Sequence, residues 1–109
     1  MQATYAGNVT QLTNKTTGVT HNALYGQITM AAAALAAGTS VSHTLTNSQA
    51  TANDMVVIGY AGGPAGSAGQ YTFNAVASAG SVVVTVRNNS AASRSDAVVY
   101  RFAILKAAP

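Results

Sequence analysis

Hydrophobic and polar residues alternate strictly in SVSHTLTN, residues 40–47, so that Val41, His43 and Leu45 share one face and hydroxyl side chains share the other. The same alternation runs through SVVVTVRN, residues 81–88. A period of two residues is typical of antiparallel strands with one buried face. These two segments therefore predict a sheet that packs one side against a core.

Six further segments complete the predicted set of strands. They are residues 8–13, 18–23, 26–30, 54–60, 70–76 and 97–106. The 54–60 segment carries a continuous apolar run, which is typical of a strand covered on both faces. Glycine and asparagine fall between the segments, where turns are expected. The spacing predicts an all-β fold, a single antiparallel β-sandwich of jelly-roll type with about eight strands.

Three connecting segments have their own local signals. Ala79-Gly80, between two alternating segments, predicts a tight hairpin. The alanine-rich residues 30–37 predict a short helical turn or an irregular loop, because two turns of helix are marginal alone. The glycine-rich residues 62–69 predict a flexible excursion, with a contact loop as the alternative. The predicted organisation is an N-terminal arm at 1–7, a β-sandwich domain at 8–106 and a C-terminal tail at 107–109.

Charged side chains are scarce. They make up 6% of the 109 residues, against about 25% in a typical soluble domain. The net charge of +3 rests on five scattered cations, without the clustering typical of nucleic-acid binders. The longest apolar run, 30–37, is far shorter than the ~20 residues of a membrane helix. We therefore expect no nucleic-acid partner and no membrane partner, and the absence of a visible secretory signal predicts synthesis without export.

Groups that move protons near neutral pH are confined to His21, His43, Asp54 and Asp96. Both aspartates stand at predicted strand entrances, where aspartate caps turns. The two histidines lie on different predicted strands, without the spacing of metal ligands. The chain has no cysteine and no Gly-x-Ser-x-Gly nucleophile elbow. We therefore predict a protein that is not an enzyme, with no catalytic residue, no metal ligand and no cofactor.

His43 is in phase with Val41 and Leu45, so it is interpreted as a core or interface histidine with one ring nitrogen bonded. A pH-sensitive contact or a metal ligand is the alternative. If His43 fills a core position, His43→Phe is expected to be neutral or stabilising, because a polar ring that needs a partner is replaced by an apolar one.

The last predicted strand is apolar on both faces. Val99, Ala103 and Leu105 lie opposite Tyr100 and Phe102, and a second apolar face of this kind is expected to be covered. The low charge is also unusual for an isolated monomer. We therefore expect a stable homo-oligomer, a trimer first and a dimer second.

Three arginines form the candidate partner interface: Arg87, Arg94 and Arg101. Arg87 and Arg101 alternate out of phase with the predicted core residues, and Arg94 lies in the loop between their strands. Arginine there would make bidentate contacts with the carboxylates of an acidic partner. The alternative is that all three only solubilise the surface. In the first case, Arg87→Glu combined with Arg101→Glu leaves the fold intact and abolishes attachment.

Five stretches carry a family resemblance: VTQLTNKTTGVT at 9–20, GQITM at 26–30, LAAGTSVS at 35–42, LTNS at 45–48 and FAILKA at 102–107. They resemble a small β-domain that recurs in virion proteins of tailed bacteriophages. Such domains are capsid decoration (cement) proteins or pieces of fibres, commonly with a jelly-roll or related β-sandwich. The resemblance implies apolar residues where His43 and His21 stand, and it supplies no catalytic residue.

The resemblance implies a structural virion protein. The expected role is a capsid decoration protein that binds the outer shell of a tailed phage and stabilises it. Its partner would be the major capsid protein, its place the capsid surface of the virion, and its site of synthesis the host cytoplasm. The alternative is a receptor- or glycan-binding module of a phage fibre. A chain from Met1 to Pro109 without a stalk favours decoration.

Overall fold

Eight strands form two four-stranded sheets that face each other across a shared core, as in a β-sandwich. The structure is a computed structural model, and it describes residues 4–107. The strands are β1 (Asn8–Thr10), β2 (Val19–Thr20), β3 (Tyr25–Thr29), β4 (Ser40–Thr46), β5 (Met55–Gly62), β6 (Tyr71–Ser78), β7 (Ser81–Asn88) and β8 (Val99–Leu105). Each of the eight predicted segments overlaps one of them, so the prediction of an eight-stranded all-β fold is confirmed.

The strand order is β1-β3-β8-β5 in one sheet, sheet A, and β2-β4-β7-β6 in the other, sheet B. The prediction of wholly antiparallel sheets is wrong at two places, because β1 runs parallel to β3 and β2 runs parallel to β4. After β1 the chain crosses to sheet B and forms β2. It then crosses back to sheet A and enters β3 at the same end of the sandwich at which it entered β1. This return makes β1 and β3 parallel. The other four pairings are antiparallel.

The connecting segments follow the backbone hydrogen bonds available to them. The predicted hairpin is confirmed, since Ser78 pairs with Ser81 around a turn in which Gly80 has a φ of 76°. Residues 30–37 form an irregular loop rather than a helical turn. Leu35 in this loop exchanges two backbone hydrogen bonds with Arg94, at 2.8 and 3.1 Å. These bonds to a distant segment replace the local ones that a helix would need.

The segments flanking the predicted domain are partly described. Residues 4–7 of the predicted N-terminal arm run along β3, where the Ala6 amide donates to the Tyr25 carbonyl and the Gln27 amide donates to the Gly7 carbonyl. In the predicted C-terminal tail, the Ala107 amide donates to the Asp54 carboxylate. The rest of the predicted arm, 1–3, and of the tail, 108–109, lies outside the described residues.

The centre of the core lies between β7 of sheet B and β8 of sheet A, each an interior strand of its sheet. Val82, Val84 and Val86 project inward from β7, and they face an inward row on β8 made of Tyr100, Phe102 and Ile104; none of these six side chains is more than 1% exposed. The interpretation of 54–60 as a strand covered on both faces is wrong. Its strand, β5, ends sheet A, and one of its faces is open to solvent.

His43 occupies the predicted core position on β4. Its side chain is buried, and Nε2 lies 2.8 Å from the equally buried Tyr100 hydroxyl of the opposite sheet. The other ring nitrogen, Nδ1, has no hydrogen-bond partner within residues 4–107. Because a charged imidazolium is poorly solvated there, burial lowers the pKa of His43 from 6.5 to about 4.

His43→Phe alone is expected to lower the free energy of unfolding by about 1–3 kcal/mol, because it leaves the buried Tyr100 hydroxyl without its partner. This revises the expectation from the sequence, which did not include that partner. The double variant His43→Phe/Tyr100→Phe removes both polar groups and is expected to be close to wild type. Urea denaturation at pH 7 measures both, and a double variant no better than the single one would contradict the pairing.

The wild-type protein is expected to lose stability as the pH falls from 6.5 towards 4. The unfolded chain binds a proton at its ordinary pKa of 6.5, whereas the folded chain takes it up only near 4. Between pH 7 and pH 4.5 this amounts to at most about 3 kcal/mol. The His43→Phe/Tyr100→Phe variant keeps His21 and both aspartates but lacks this contribution. Equal losses in the two proteins would contradict the burial argument.

Candidate functional site

The three arginines of the candidate interface do not share a surface. Arg87 projects from the outer face of sheet B, between the buried Val86 and Asn88, and Arg101 projects from the outer face of sheet A. The prediction that both point away from the core is confirmed. The two sheets meet core to core, however, so the two guanidiniums point to opposite sides of the molecule.

Arg94 belongs to a polar cluster at one end of the sandwich, the end cluster, formed by Lys15, Tyr71, Arg94 and Asp96. Arg94 Nε donates to Asp96 Oδ2 at 2.6 Å, and the Tyr71 hydroxyl donates to the same oxygen at 2.7 Å. Lys15 Nζ donates to the backbone carbonyls of Asp96 at 2.6 Å and Ala31 at 2.5 Å. The end cluster thus ties together loops that are distant in the sequence.

Charges in the end cluster compensate one another. Burial raises the pKa of Asp96, but hydrogen bonds from Arg94 and Tyr71 outweigh burial and hold this pKa below its usual value. Burial lowers the pKa of the Lys15 ammonium, and the Asp96 carboxylate partly offsets that effect. Desolvation also raises the pKa of Tyr71 to about 12, with the neighbouring carboxylate adding to it. The arrangement is a structural ion-pair network in which each charge is occupied.

The second aspartate closes the other end of β8. Asp54 Oδ2 accepts from Lys106 Nζ at 2.5 Å and from the Thr51 amide at 2.8 Å, and Oδ1 accepts from the Ala107 amide at 2.9 Å. The bond to Thr51 confirms that Asp54 caps a turn. These hydrogen bonds, led by the one from Lys106, hold the pKa of Asp54 far below its usual value. The two carboxylates therefore lie at opposite ends of β8 and do not form a pair.

The outer face of sheet A is apolar and aromatic. Met55, Val57 and Leu105 are 64%, 56% and 54% exposed, and the strand register makes Met55 a neighbour of Leu105 and Val57 a neighbour of Ala103. On one sheet face these side chains form a continuous patch. We call this surface, together with the aromatic group described next, the A face.

An aromatic and cationic group borders the apolar patch of the A face. The Tyr5 ring lies 5.3 Å from the Tyr25 ring, and the Arg101 guanidinium lies 5.8 Å from the centre of the Tyr5 ring. Arg101 Nε also donates to Gln27 Oε1 at 3.0 Å. Within residues 4–107 no carboxylate pairs with Arg101, so its positive charge is available to a partner.

The outer face of sheet B, the B face, is mainly hydroxylic. Serine and threonine occupy most outward positions, and Ser42 and Thr85 hydrogen-bond to each other at 2.8 Å. Val76 and Val83 are the larger apolar side chains there. The sandwich therefore presents two different faces, one suited to contact with a protein and the other to contact with water.

The two histidines lie on different parts of the chain and hydrogen-bond to different partners. His21 Nε2 lies 2.8 Å from the Gly7 carbonyl, while His43 bonds to Tyr100. Among the residues that the structure describes, no three His, Asp or Glu side chains meet in a group that would hold a metal ion. In the same part of the chain there is no helix long and apolar enough to cross a membrane.

Comparison of the chain with protein-family models, with curated protein sequences and with solved structures found no match. Function is therefore inferred from the residues and their geometry.

The sequence does not predict the end cluster, and it places Arg94 in the candidate interface instead. Lys15 and Asp96 are 81 residues apart, and neither carries a local signal of the other. The glycine-rich loop 62–69 closes over this end, where the buried Ser67 bonds to the Tyr60 hydroxyl at 2.7 Å. Ser67 therefore holds that loop to β5, and it also donates to the Pro64 carbonyl within the loop. Arg94 has an internal partner.

Asp96→Asn is expected to lower the free energy of unfolding by about 1–3 kcal/mol at pH 7, because it leaves Arg94 and Lys15 without the carboxylate that compensates them. The matched control is Arg87→Met, which removes an exposed guanidinium without a carboxylate partner in the described residues and should change stability by less than about 0.5 kcal/mol. Urea denaturation of both variants measures the difference in their free energies of unfolding. Equal effects would show that the Asp96 carboxylate does not contribute to stability.

Proposed function

We propose that the protein is a structural protein of a tailed-bacteriophage virion, a capsid decoration protein that attaches to the outer shell through the A face. The observation that supports this most is the difference between the two faces. The A face combines exposed methionine, valine and leucine side chains with two tyrosines and an arginine. Tyrosine, methionine and arginine are enriched at protein interfaces, and tyrosine and arginine dominate their binding energy.

The charge distribution supports an acidic partner. Both aspartates are engaged inside the fold, one with Arg94 and one with Lys106. The A face therefore has a free guanidinium at Arg101 and no acid of its own to oppose it. A carboxylate on the major capsid protein would gain a charge-assisted contact with Arg101, and the tyrosine ring beside the guanidinium would exclude water from that contact.

The B face fits the side turned to solvent. Its hydroxyl side chains hydrogen-bond with water without adding charge. A protein that coats a shell in many copies places like surfaces side by side, and neutral hydroxyl groups do not repel one another as charges would. This surface accounts for the low charge content without any further role.

The jelly-roll topology is part of the proposal. Strands β3, β4, β5 and β6 alternate between the two sheets, and β8 and β7 return beside β3 and β4 as antiparallel partners. This strand order supports the proposal of a jelly roll. Strands β6 and β7 are joined by a tight hairpin within one sheet. The proposed roll therefore consists of the six strands β3 to β8, and β1 and β2 are added to it at the N-terminal side.

Arg101→Glu is expected to abolish attachment to phage particles that lack the protein, with affinity at least about thirty-fold lower, equal to ~2 kcal/mol for one partner of a desolvated charge pair. Arg87→Glu is the matched control, because it makes the same change of charge on the B face and should attach as wild type does. Wild-type attachment should weaken as salt rises. Occupancy is measured by densitometry against the major capsid protein.

Equal loss of attachment by both arginine variants would indicate long-range steering rather than a contact of the A face. Full occupancy by Arg101→Glu would remove the A face as the binding surface. Absence of wild-type binding to the shell, with binding to host-cell surfaces instead, would favour the fibre module over the decoration protein.

A further inference from the structure

The two sides of the sandwich end in strands of very different length. On one side the outermost strands are β1 and β2, with three and two residues; on the other they are β5 and β6, with eight residues each. Very short edge strands are one way in which proteins prevent unwanted strand pairing. The β1/β2 side is protected in this manner, whereas the β5/β6 side is not.

Neither long edge strand carries the other usual protections. The sequences MVVIGYAG in β5 and YTFNAVAS in β6 contain no charged residue and no proline. Their pairings are regular except for one shift between Tyr60 and Gly62, at the end of β5. Within residues 4–107 each strand is hydrogen-bonded to a neighbour on one side only. Their free backbone groups are thus available along most of eight residues.

The core is open along the same side. Core-facing side chains on the edge strands, including Val56, Ile58 and Phe73, are partly exposed, whereas those of β7 and β8 are fully buried. A cleft of about 420 Å³ opens between residues 52–56 and 75–77. On the outer sides of the edge strands, Val57 and Val76 are 56% and 61% exposed. Polar backbone and apolar side chains are therefore both uncovered here.

We propose that two copies of this chain pair along β5 and β6 about a two-fold axis perpendicular to the sheets. In this dimer β5 pairs antiparallel with β5 of the second copy, and β6 pairs in the same way with its counterpart. Both sheets then continue across the interface as eight-stranded sheets, and the cleft is closed by the same region of the second copy.

A second copy fits this surface better than a single extended peptide does. The two open edges lie side by side, at the spacing of ~10 Å between packed sheets, so one added strand covers only one of them. A partner that is itself a two-layer sandwich with the same open side covers both at once. The two strands supply sixteen residues per copy, near the ~20–30 a side of stable interfaces. Neither strand has a charged side chain that would repel the same strand of the second copy.

The proposed dimer does not depend on a role in a virion. It selects the dimer over the trimer among the two oligomers expected from the composition. Because the Val57 side chain is exposed, substitutions there test the pairing and leave the core intact.

Sedimentation velocity of the full chain at micromolar concentration tests the pairing. We expect the wild type to be a dimer, and Val57→Lys and Val57→Glu each to raise the dimer dissociation constant by at least about ten-fold, because each substitution brings two like charges close together in the paired edges. An equimolar mixture of the two variants should recover the dimer. The matched control is Leu105→Lys, on the same face with 54% exposure but on the interior strand β8, which should stay a dimer.

A wild-type monomer or trimer overturns the proposal, as does a dimer that survives both Val57 substitutions. Loss of the dimer in Leu105→Lys would instead indicate stacking of A faces and overturn edge pairing as well. If the Val57 variants do not fold, hydrogen exchange of the wild type decides: amides in both β5 and β6 should gain protection as concentration rises. Protection that appears only on phage particles would identify a capsid strand as the partner. No particle is needed for the other measurements, so their failure is separable from failure of attachment.

Discussion

The inward rows of β7 and β8 face each other at the centre of the sandwich, and the rest of the structure depends on that contact. Each strand is flanked by partners on both sides, so the two rows hold all of the six longer strands together. The Tyr100 ring also reaches Phe73 on β6, 5.5 Å away. Further along β6, Ala75 and Ala77 are too small to fill the space beside the core, and they line the cleft.

The two carboxylates reinforce the same central strand. Asp96 precedes β8 and holds Arg94 and Tyr71, while Asp54 holds Lys106 and the Ala107 amide just beyond its other end. A chain with only two acids uses both to fix the ends of one strand. As a result the outer faces have cations without matching anions, and the surface chemistry of the molecule follows from how its core strand is anchored.

The strands were predictable because alternation is a local property, and segments such as 40–47 and 81–88 show it without reference to the rest of the chain. Pairing partners were not predictable to the same degree. Strands β1 and β2 are too short to carry a directional signal, so their parallel placement depends on the path of the intervening loops. Alternation also showed that Arg87 and Arg101 point away from the core. It does not specify the sheet, and only the topology places them on opposite faces.

Edge pairing and attachment through the A face are geometrically compatible. A two-fold axis perpendicular to the sheets leaves both A faces on the same side of the dimer, whereas stacking of A faces would bury the surface proposed to bind the shell. In the proposed attachment, two rigidly joined A faces would bind a shell through two contacts, and the second contact would form at a high effective concentration once the first has formed. Each A face then needs only modest affinity. Within residues 4–107 the A face has a single unpaired charge, Arg101. In a dimer this one arginine contributes to the binding energy at both contacts.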